Sequence, residues 1–266
     1  MEVVAVEAAD LERCREAIEP HITPMTGVTS ATAAPWIDAN GWRFQREPAA
    51  QYCYESLSAR SAPLAAAEAF VYGVRALLRV PEPGLAGYAT MLEFLKKMGL
   101  EALPAVANFG IVDDGSDVAG EVMNLMVRKN LLFRVVSEAA PELDRIIRLG
   151  TPEYPLEAAA DPSHFAALMR ARLTDEKRLL RIYGTEVVLA HLTGRGTRYR
   201  LHLLNYSGRS VDGMRIRLLG EFRNLRLAIW GSDAREPLDV LAGRDAIEFT
   251  VPAMSAYAVA DLERVR

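Results

Sequence analysis

The sequence predicts an α/β protein that ends in an antiparallel β domain. Three observations predict it. A strand–helix–strand alternation with short joins runs from Val106 to Val136. A long and almost wholly apolar helix stands before it. After Gly184 the texture changes to short strands in which apolar and polar residues alternate. The boundary falls near residue 184, giving an α/β domain over 1–184 and a small β-sandwich over 185–266. A chain of 266 residues, half of them hydrophobic, can fill two such cores.

The elements follow in order. Val3 to Val6 is a β-branched run, and Asp10 caps a helix whose face carries Leu11, Cys14, Ala17 and Ile18 before Pro20. Residues 22–62 read as irregular, with Pro24, Gly27, Pro35, Gly41 and Pro48 among them; a loop of that length in a compact domain points to function. Leu64 to Val80 is apolar nearly all round, as a buried helix is. A second helix spans about Gly84 to Met98, with Lys96 and Lys97 suited to its C-terminal dipole and Gly99 at C′. Val106–Val112, Leu131–Val136 and Ile146–Leu149 are strands of a mostly parallel sheet, and residues 1–99 are expected to complete it. Asp161 and Pro162 open another helix. Beyond Gly184, strands are expected at Val187–Leu192, Tyr199–Tyr206, Val211–Leu219, Leu225–Trp230, Ile247–Val251 and Ala256–Leu262, the spacing of a β-sandwich.

Composition and motifs exclude several functions. The net charge is −4 and no basic run is present, which argues against nucleic-acid binding. No apolar stretch reaches the ~18 residues of a membrane helix, so no membrane partner is expected. The start carries no signal-peptide pattern; a soluble chain in the cytoplasm, or a secreted or periplasmic one with its signal removed, both fit. Cys14 and Cys53 form no CxxC motif; they can pair in one disulfide, which leaves the compartment open. Dinucleotide and P-loop glycine motifs, a nucleophile elbow and a Cys on a strand-to-helix turn are all missing. His21, His164, His191 and His202 show no metal-ligand spacing, so no metal and no cofactor is expected.

Carboxylates and aromatics remain. Asp113, Asp114 and Ser116 stand at the C-terminal end of a parallel strand, where open α/β sheets place ligands, and Glu121 follows about one helical turn on. The same Asp and Ser residues, with Gly115, also make an ordinary helix cap and turn. The stretch Trp36 to Phe44 holds Trp36, Asp38, Asn40, Trp42 and Arg43. Indoles offer faces on which a sugar ring stacks, and Asp, Asn and Arg hydrogen-bond its hydroxyls; the competing reading is that the two indoles anchor a loop. Asp38 with Asp113, Asp114 or Glu121 could supply the carboxylate pair, roughly 5–10 Å apart, that a glycosidase needs. In the β domain, Arg200, His202 and Asn205 read as a solvated face, and Trp230 and Tyr257 as packing.

The strand ending in Asp113-Asp114-Gly115-Ser116, the helix after it and Asn130-Leu131-Leu132-Phe133-Arg134-Val135-Val136 resemble a known arrangement. It is the glutamine-amidotransferase-like, flavodoxin-type domain found behind the catalytic barrel of some bacterial glycoside hydrolases, such as the β-galactosidase trimerisation domain. Arg200–Tyr206, Glu248–Pro252 and Ala256–Val259 are similar to the β-sandwich that closes such enzymes. The resemblance covers roughly residues 100–262. It implies a flavodoxin-like sheet followed by an antiparallel sandwich, and a carbohydrate-associated protein. The ~100 residues before it cannot hold a barrel of eight βα units, so a catalytic role does not carry over. The expectation is therefore glycan binding, with a glycoside hydrolase and a homo-oligomerisation module as alternatives.

Overall fold

A computed structural model of the chain describes residues 13–23, 35–99, 103–138, 140–233 and 236–265. The expected strand at Val3–Val6, the cap at Asp10 and the residues Leu11, Pro24 and Gly27 lie outside them. The described residues form a mixed α/β structure with parallel and antiparallel sheets. Among them no helix is long and apolar enough to cross a membrane.

The N-terminal part departs most from expectation. In place of a helix through Cys14 and Ala17, strand β1 (Arg15–Glu16) pairs in parallel with β4 (Gln51–Tyr54), Ala17 N donates to Cys53 O at 2.9 Å, and Cys14 is joined to Cys53 by a disulfide. Pairing and a covalent bond override a weak local preference. The stretch expected to be irregular contains a hairpin, β2 (His21–Thr23) with β3 (Trp36–Asp38), and the short helix α1 (Gly41–Arg46). The expected 64–80 helix divides. Helix α2 (Ala62–Tyr72) stops at Gly73, whose φ of 65° places it in the left-handed region, and the rest becomes strand β5 (Arg75–Leu78) beside β4. Apolar composition cannot tell a buried helix from a buried strand; the glycine marks the change. Helix α3 (Leu85–Met98) and its terminal Gly99 stand as read.

The second parallel sheet follows the sequence closely. Strands β6 (Phe109–Ile111), β7 (Phe133–Val135) and β8 (Arg145–Ile147) lie in the order β7-β6-β8, with α4 (Asp117–Arg128) between the first two. The N-terminal strands form their own sheet, β1-β4-β5, and among the described residues do not join this one, so the expected single sheet is two. Helices α5 (Leu156–Ala159) and α6 (Pro162–Lys177) come next; Asp161 caps α6 by accepting from His164 N at 2.9 Å.

The antiparallel part begins with β9 (Leu180–Tyr183), a few residues before Gly184. Strands β10 (Val188–Arg195), β11 (Arg198–Asn205), β12 (Met214–Leu219), β13 (Phe222–Ile229), β14 (Leu238–Ala242), β15 (Ala246–Val251) and β16 (Tyr257–Arg264) follow. They form two four-stranded sheets, β10-β11-β16-β13 and β14-β15-β12-β9. Leu192, Leu201, Leu203, Ile216, Leu218 and Phe249 meet in one core between them. The other face of the first sheet, with Leu189, Leu204, Tyr257 and Val259, packs into the α/β core with Leu64, Ala67, Met91 and Met123. That sheet is buried on both sides, which corrects the reading of a solvated face. His202 and Asn205 are 5% and 1% exposed: Phe70 of α2 lies against the His202 ring, and the Asn205 amide donates to the carbonyls of Arg209, Met254 and Ser255. Asn130, at the left-handed φ of 51° that asparagine tolerates, docks α4 on the sheet: its amide donates to Val188 O at 2.9 Å and accepts from Ala190 N at 2.8 Å.

The centre of this packing is polar. Glu68, on α2, is fully buried and its carboxylate receives four hydrogen bonds: from Asn40 N at 2.7 Å, Asn40 Nδ2 at 2.9 Å, Tyr54 Oη at 2.7 Å and Tyr206 Oη at 2.7 Å. Burial pushes the Glu68 carboxyl up, and the donors pull it back only in part. Glu68→Ala strands these donors in a dry core and is expected to cost at least about 3 kcal/mol in urea unfolding, against about 1 kcal/mol for Tyr206→Phe.

The covered sheet face also carries a pH dependence. Burial lowers His191 from 6.5 to about 4, and it lowers His202 as well, helped by His191 and Arg200. Between those two values the unfolded imidazole takes a proton that the folded one refuses, so stability falls as pH is lowered. His191 alone removes about 2 kcal/mol between pH 7 and 5. Denaturation midpoints across that range should fall, and His191→Phe should flatten the profile.

Candidate functional site

The two stretches singled out in the sequence meet in space. Trp36–Phe44 is a strand and the start of a helix: β3 pairs with β2, with His21 opposite Asp38, and α1 lies on α4. Gly120 permits that approach. A Cβ there would stand 2.9 Å from both the Trp42 ring and an Arg46 guanidinium nitrogen. Arg46 Nε and Nη2 fork onto Asp113 at 2.7 and 2.9 Å, and Nη2 also donates to Ser116 O at 2.9 Å.

This meeting divides the candidate residues. Asp113 takes the Arg46 fork and Gly115 N; Asp114 accepts from Ser116 N at 2.9 Å, and hydrogen bonding by Ser116 holds its carboxyl below the usual range. Ser116 caps α4 by accepting from Ala119 N at 3.1 Å. Asn40 is fully buried on Glu68, and its side chain also bonds both backbone groups of Ile18. These four side chains carry fold contacts.

Trp36, Asp38 and Glu121 lie around Arg128, and Arg43, stacked on Trp42, is near the same two carboxylates. The Arg128 guanidinium lies 3.4 Å from the Trp36 ring centroid, and that of Arg43 lies 4.4 Å from the Trp42 ring. Trp36 Nε1 donates to Asp38 Oδ1 at 3.0 Å and the Thr23 hydroxyl donates to Asp38 Oδ2 at 2.5 Å. Burial lowers the pKa of Arg43 and Arg128, while Asp38 and Glu121 act on both guanidiniums to oppose it. Of the carboxylate pairs considered, Asp38 and Glu121 are thus the two that share a neighbourhood. Trp42 Nε1, Arg128 Nε and Arg128 Nη1 are buried without a hydrogen-bond acceptor among the described residues. Among the described residues no group of three His, Cys, Asp or Glu side chains is placed to hold a metal ion.

The other side of the hairpin faces a cleft of about 440 Å³ that sequence reasoning did not find. It lies beyond the C-terminal ends of the parallel strands β1 and β4, between Glu19–Ile22, Ser58–Ser61 and the ends of the antiparallel strands. Trp230 provides an indole in its lining, and Glu19, His21, Arg60 and Ser207 provide polar groups. Glu19 accepts from Ser58 N at 2.9 Å and from the Ser61 hydroxyl; burial raises its carboxyl, but these bonds outweigh it and hold the group below the usual range. Arg60 packs on Gly208. Three distant stretches contribute, so no spacing within any one of them betrays the site. The only trace was Trp230, which also packs against the core as read.

No protein-family model and no curated protein matches the chain. Solved structures do. The chain superimposes on α-L-fucosidase isoenzyme 2 from Paenibacillus thiaminolyticus with a TM-score of 0.60 at 9% identity, covering 82% of this chain and 60% of that one. A β-galactosidase from Rahnella sp. R3 gives 0.49 at 8% identity (84% and 56% covered), and a GH42 β-galactosidase from G. stearothermophilus gives 0.46 at 7% (94% and 53%). The chain spans little more than half the length of these proteins. At 9% identity the likeness to the fucosidase is one of fold: this chain has a fold found in a glycoside hydrolase.

Proposed function

We propose that the chain is a carbohydrate-associated protein that binds a glycan in the cleft beside the β2–β3 hairpin. The finer architecture on this reading is a flavodoxin-like, glutamine-amidotransferase-like part followed by a β-sandwich. The observation that carries the proposal is the cleft's chemistry. An indole, a carboxylate, an imidazole, a guanidinium and hydroxyls converge in about 440 Å³ at the C-terminal edge of parallel strands. A sugar needs one apolar face to stack on and hydrogen-bonding groups around its rim, and this set offers both. The likeness to the fucosidase fold supports the reading.

A thermal-shift screen of the chain against mono- and oligosaccharides tests it. A sugar near 100 times its dissociation constant stabilises the fold by about 2.7 kcal/mol, a shift of several degrees. Trp230→Ala is expected to remove that shift, and Trp36→Ala to leave it. If Trp230→Ala binds like the parent and Trp36→Ala does not, the site is the Trp36 cluster. If no sugar shifts the parent, the proposal fails.

A glycoside hydrolase is the second reading, favoured by the shared neighbourhood of Asp38 and Glu121. Hydrolysis of the bound sugar should then fall at least about 100-fold in Asp38→Asn and in Glu121→Gln. Undiminished turnover in either variant removes that carboxylate from the reaction. A homo-oligomer is the third, and the exposed Leu238 and Leu241 of the edge strand β14 support it.

A further inference from the structure

A second cleft, of about 510 Å³, opens between the end of α2, the segment after α1 and the β10–β11 pair. We propose that it binds a small neutral aromatic molecule carrying one hydroxyl, a simple phenol. Phe44, Phe70, Val71, Tyr72 and Val135 give it walls of rings and aliphatic chains. Several of its polar groups already have partners. The Thr193 hydroxyl donates to Arg200 O, and Arg200 forks onto Asp261 and holds the Met98 carbonyl. Arg134 is paired with Glu142. His202 Nδ1 and Tyr257 Oη share a 2.7 Å hydrogen bond.

Gln45, Tyr72 and His191 are different: none of these three side chains has a hydrogen bond among the described residues. The His191 ring is 8% exposed, lines the cleft and tilts against Tyr72 at 4.6 Å between centroids. Its nitrogens are not among the dry unpartnered atoms, so a ligand that fills the cleft and shuts off water must give one of them a hydrogen bond. Burial keeps the imidazole neutral, so one nitrogen donates and the other accepts.

These features select the ligand class. A sugar presents hydroxyls all round to walls in which rings and aliphatic chains predominate. An anion finds guanidiniums already neutralised by Asp261 and Glu142 and an uncharged imidazole. A phenol ring packs edge-on or offset against Phe70 and Tyr72, and its hydroxyl meets His191. This site stands apart from the glycan cleft, and the inference does not rest on that reading.

The test is titration of p-cresol into the whole chain near neutral pH. The His191 ring nitrogens are followed by nitrogen-15 NMR and the melting temperature by calorimetry, with toluene and D-glucose for comparison. p-Cresol is expected to move the His191 signals and raise the melting temperature by several degrees near saturation. Toluene, lacking the hydroxyl, should bind about tenfold more weakly. In His191→Phe the two should bind alike, and Phe70→Trp should weaken both by narrowing the cleft. The proposal is overturned if p-cresol leaves the parent's His191 signals and melting temperature unchanged. It is equally overturned if glucose moves them, or if His191→Phe still prefers p-cresol to toluene.

Discussion

The structure depends on one buried carboxylate. Glu68 sits mid-helix in α2, and its hydrogen-bond donors come from the residue before α1, the end of β4 and the residue after β11. Asn40 carries the network on to the chain after β1 through Ile18. An isolated buried carboxylate is among the costliest things a core can hold, and it is tolerable only when every lone pair is met. That condition fixes three parts of the chain at once. Moving α1, β4 or the end of β11 would break the hub, so their relative places follow from it.

Helix α2 also divides the two clefts. Ser61 and Leu64 at its N-terminal end line the polar one, while Phe70 to Gly73 at its C-terminal end line the apolar one. One opens at the ends of β11, β13 and β16, the other along β10 and β11 beyond the end of α2. The contrast between the clefts follows from what closes each. Turns rich in Ser and Asn close one end, and the rings of Phe44, Phe70 and Tyr72 close the other.

How much of this could be read from the chain follows from the range of the forces involved. Elements set by local chemistry were legible: the Ser116 and Asp161 caps, the Gly99 terminus, the β6–α4–β7 alternation and the antiparallel strands from Val188 onward except the exposed edge strand β14. Elements set by distant partners were not. Arg15 and Glu16 are extended because Tyr52 and Cys53 lie beside them, and no periodicity near residue 15 encodes that. His202 and Asn205 alternate with leucines as a wet face would, yet α2 covers the first and the chain at Arg209 and Met254 encloses the second. The site was half legible. Residue types at Trp36, Asp38 and Glu121 announced a cluster, but Glu19, Ser58 and Trp230 come together only through the fold. Asn40 carried the misleading signal: a polar residue between two tryptophans looked like a ligand contact, and its partner is a glutamate 28 positions away.

The disulfide gives one last consequence. Cys14 and Cys53 are 39 positions apart, and the loop they close contains Glu19, His21, Trp36, Asp38 and Trp42. Strand β1 itself holds only two residues at a sheet edge. Closing a loop of that length lowers the entropy of the unfolded chain by the equivalent of about 4 kcal/mol. A short edge strand thus owes its place to a covalent tether as much as to its ladder. The thiol–disulfide potential of the surroundings becomes a thermodynamic variable for the hairpin, acting through a bond that touches neither cleft.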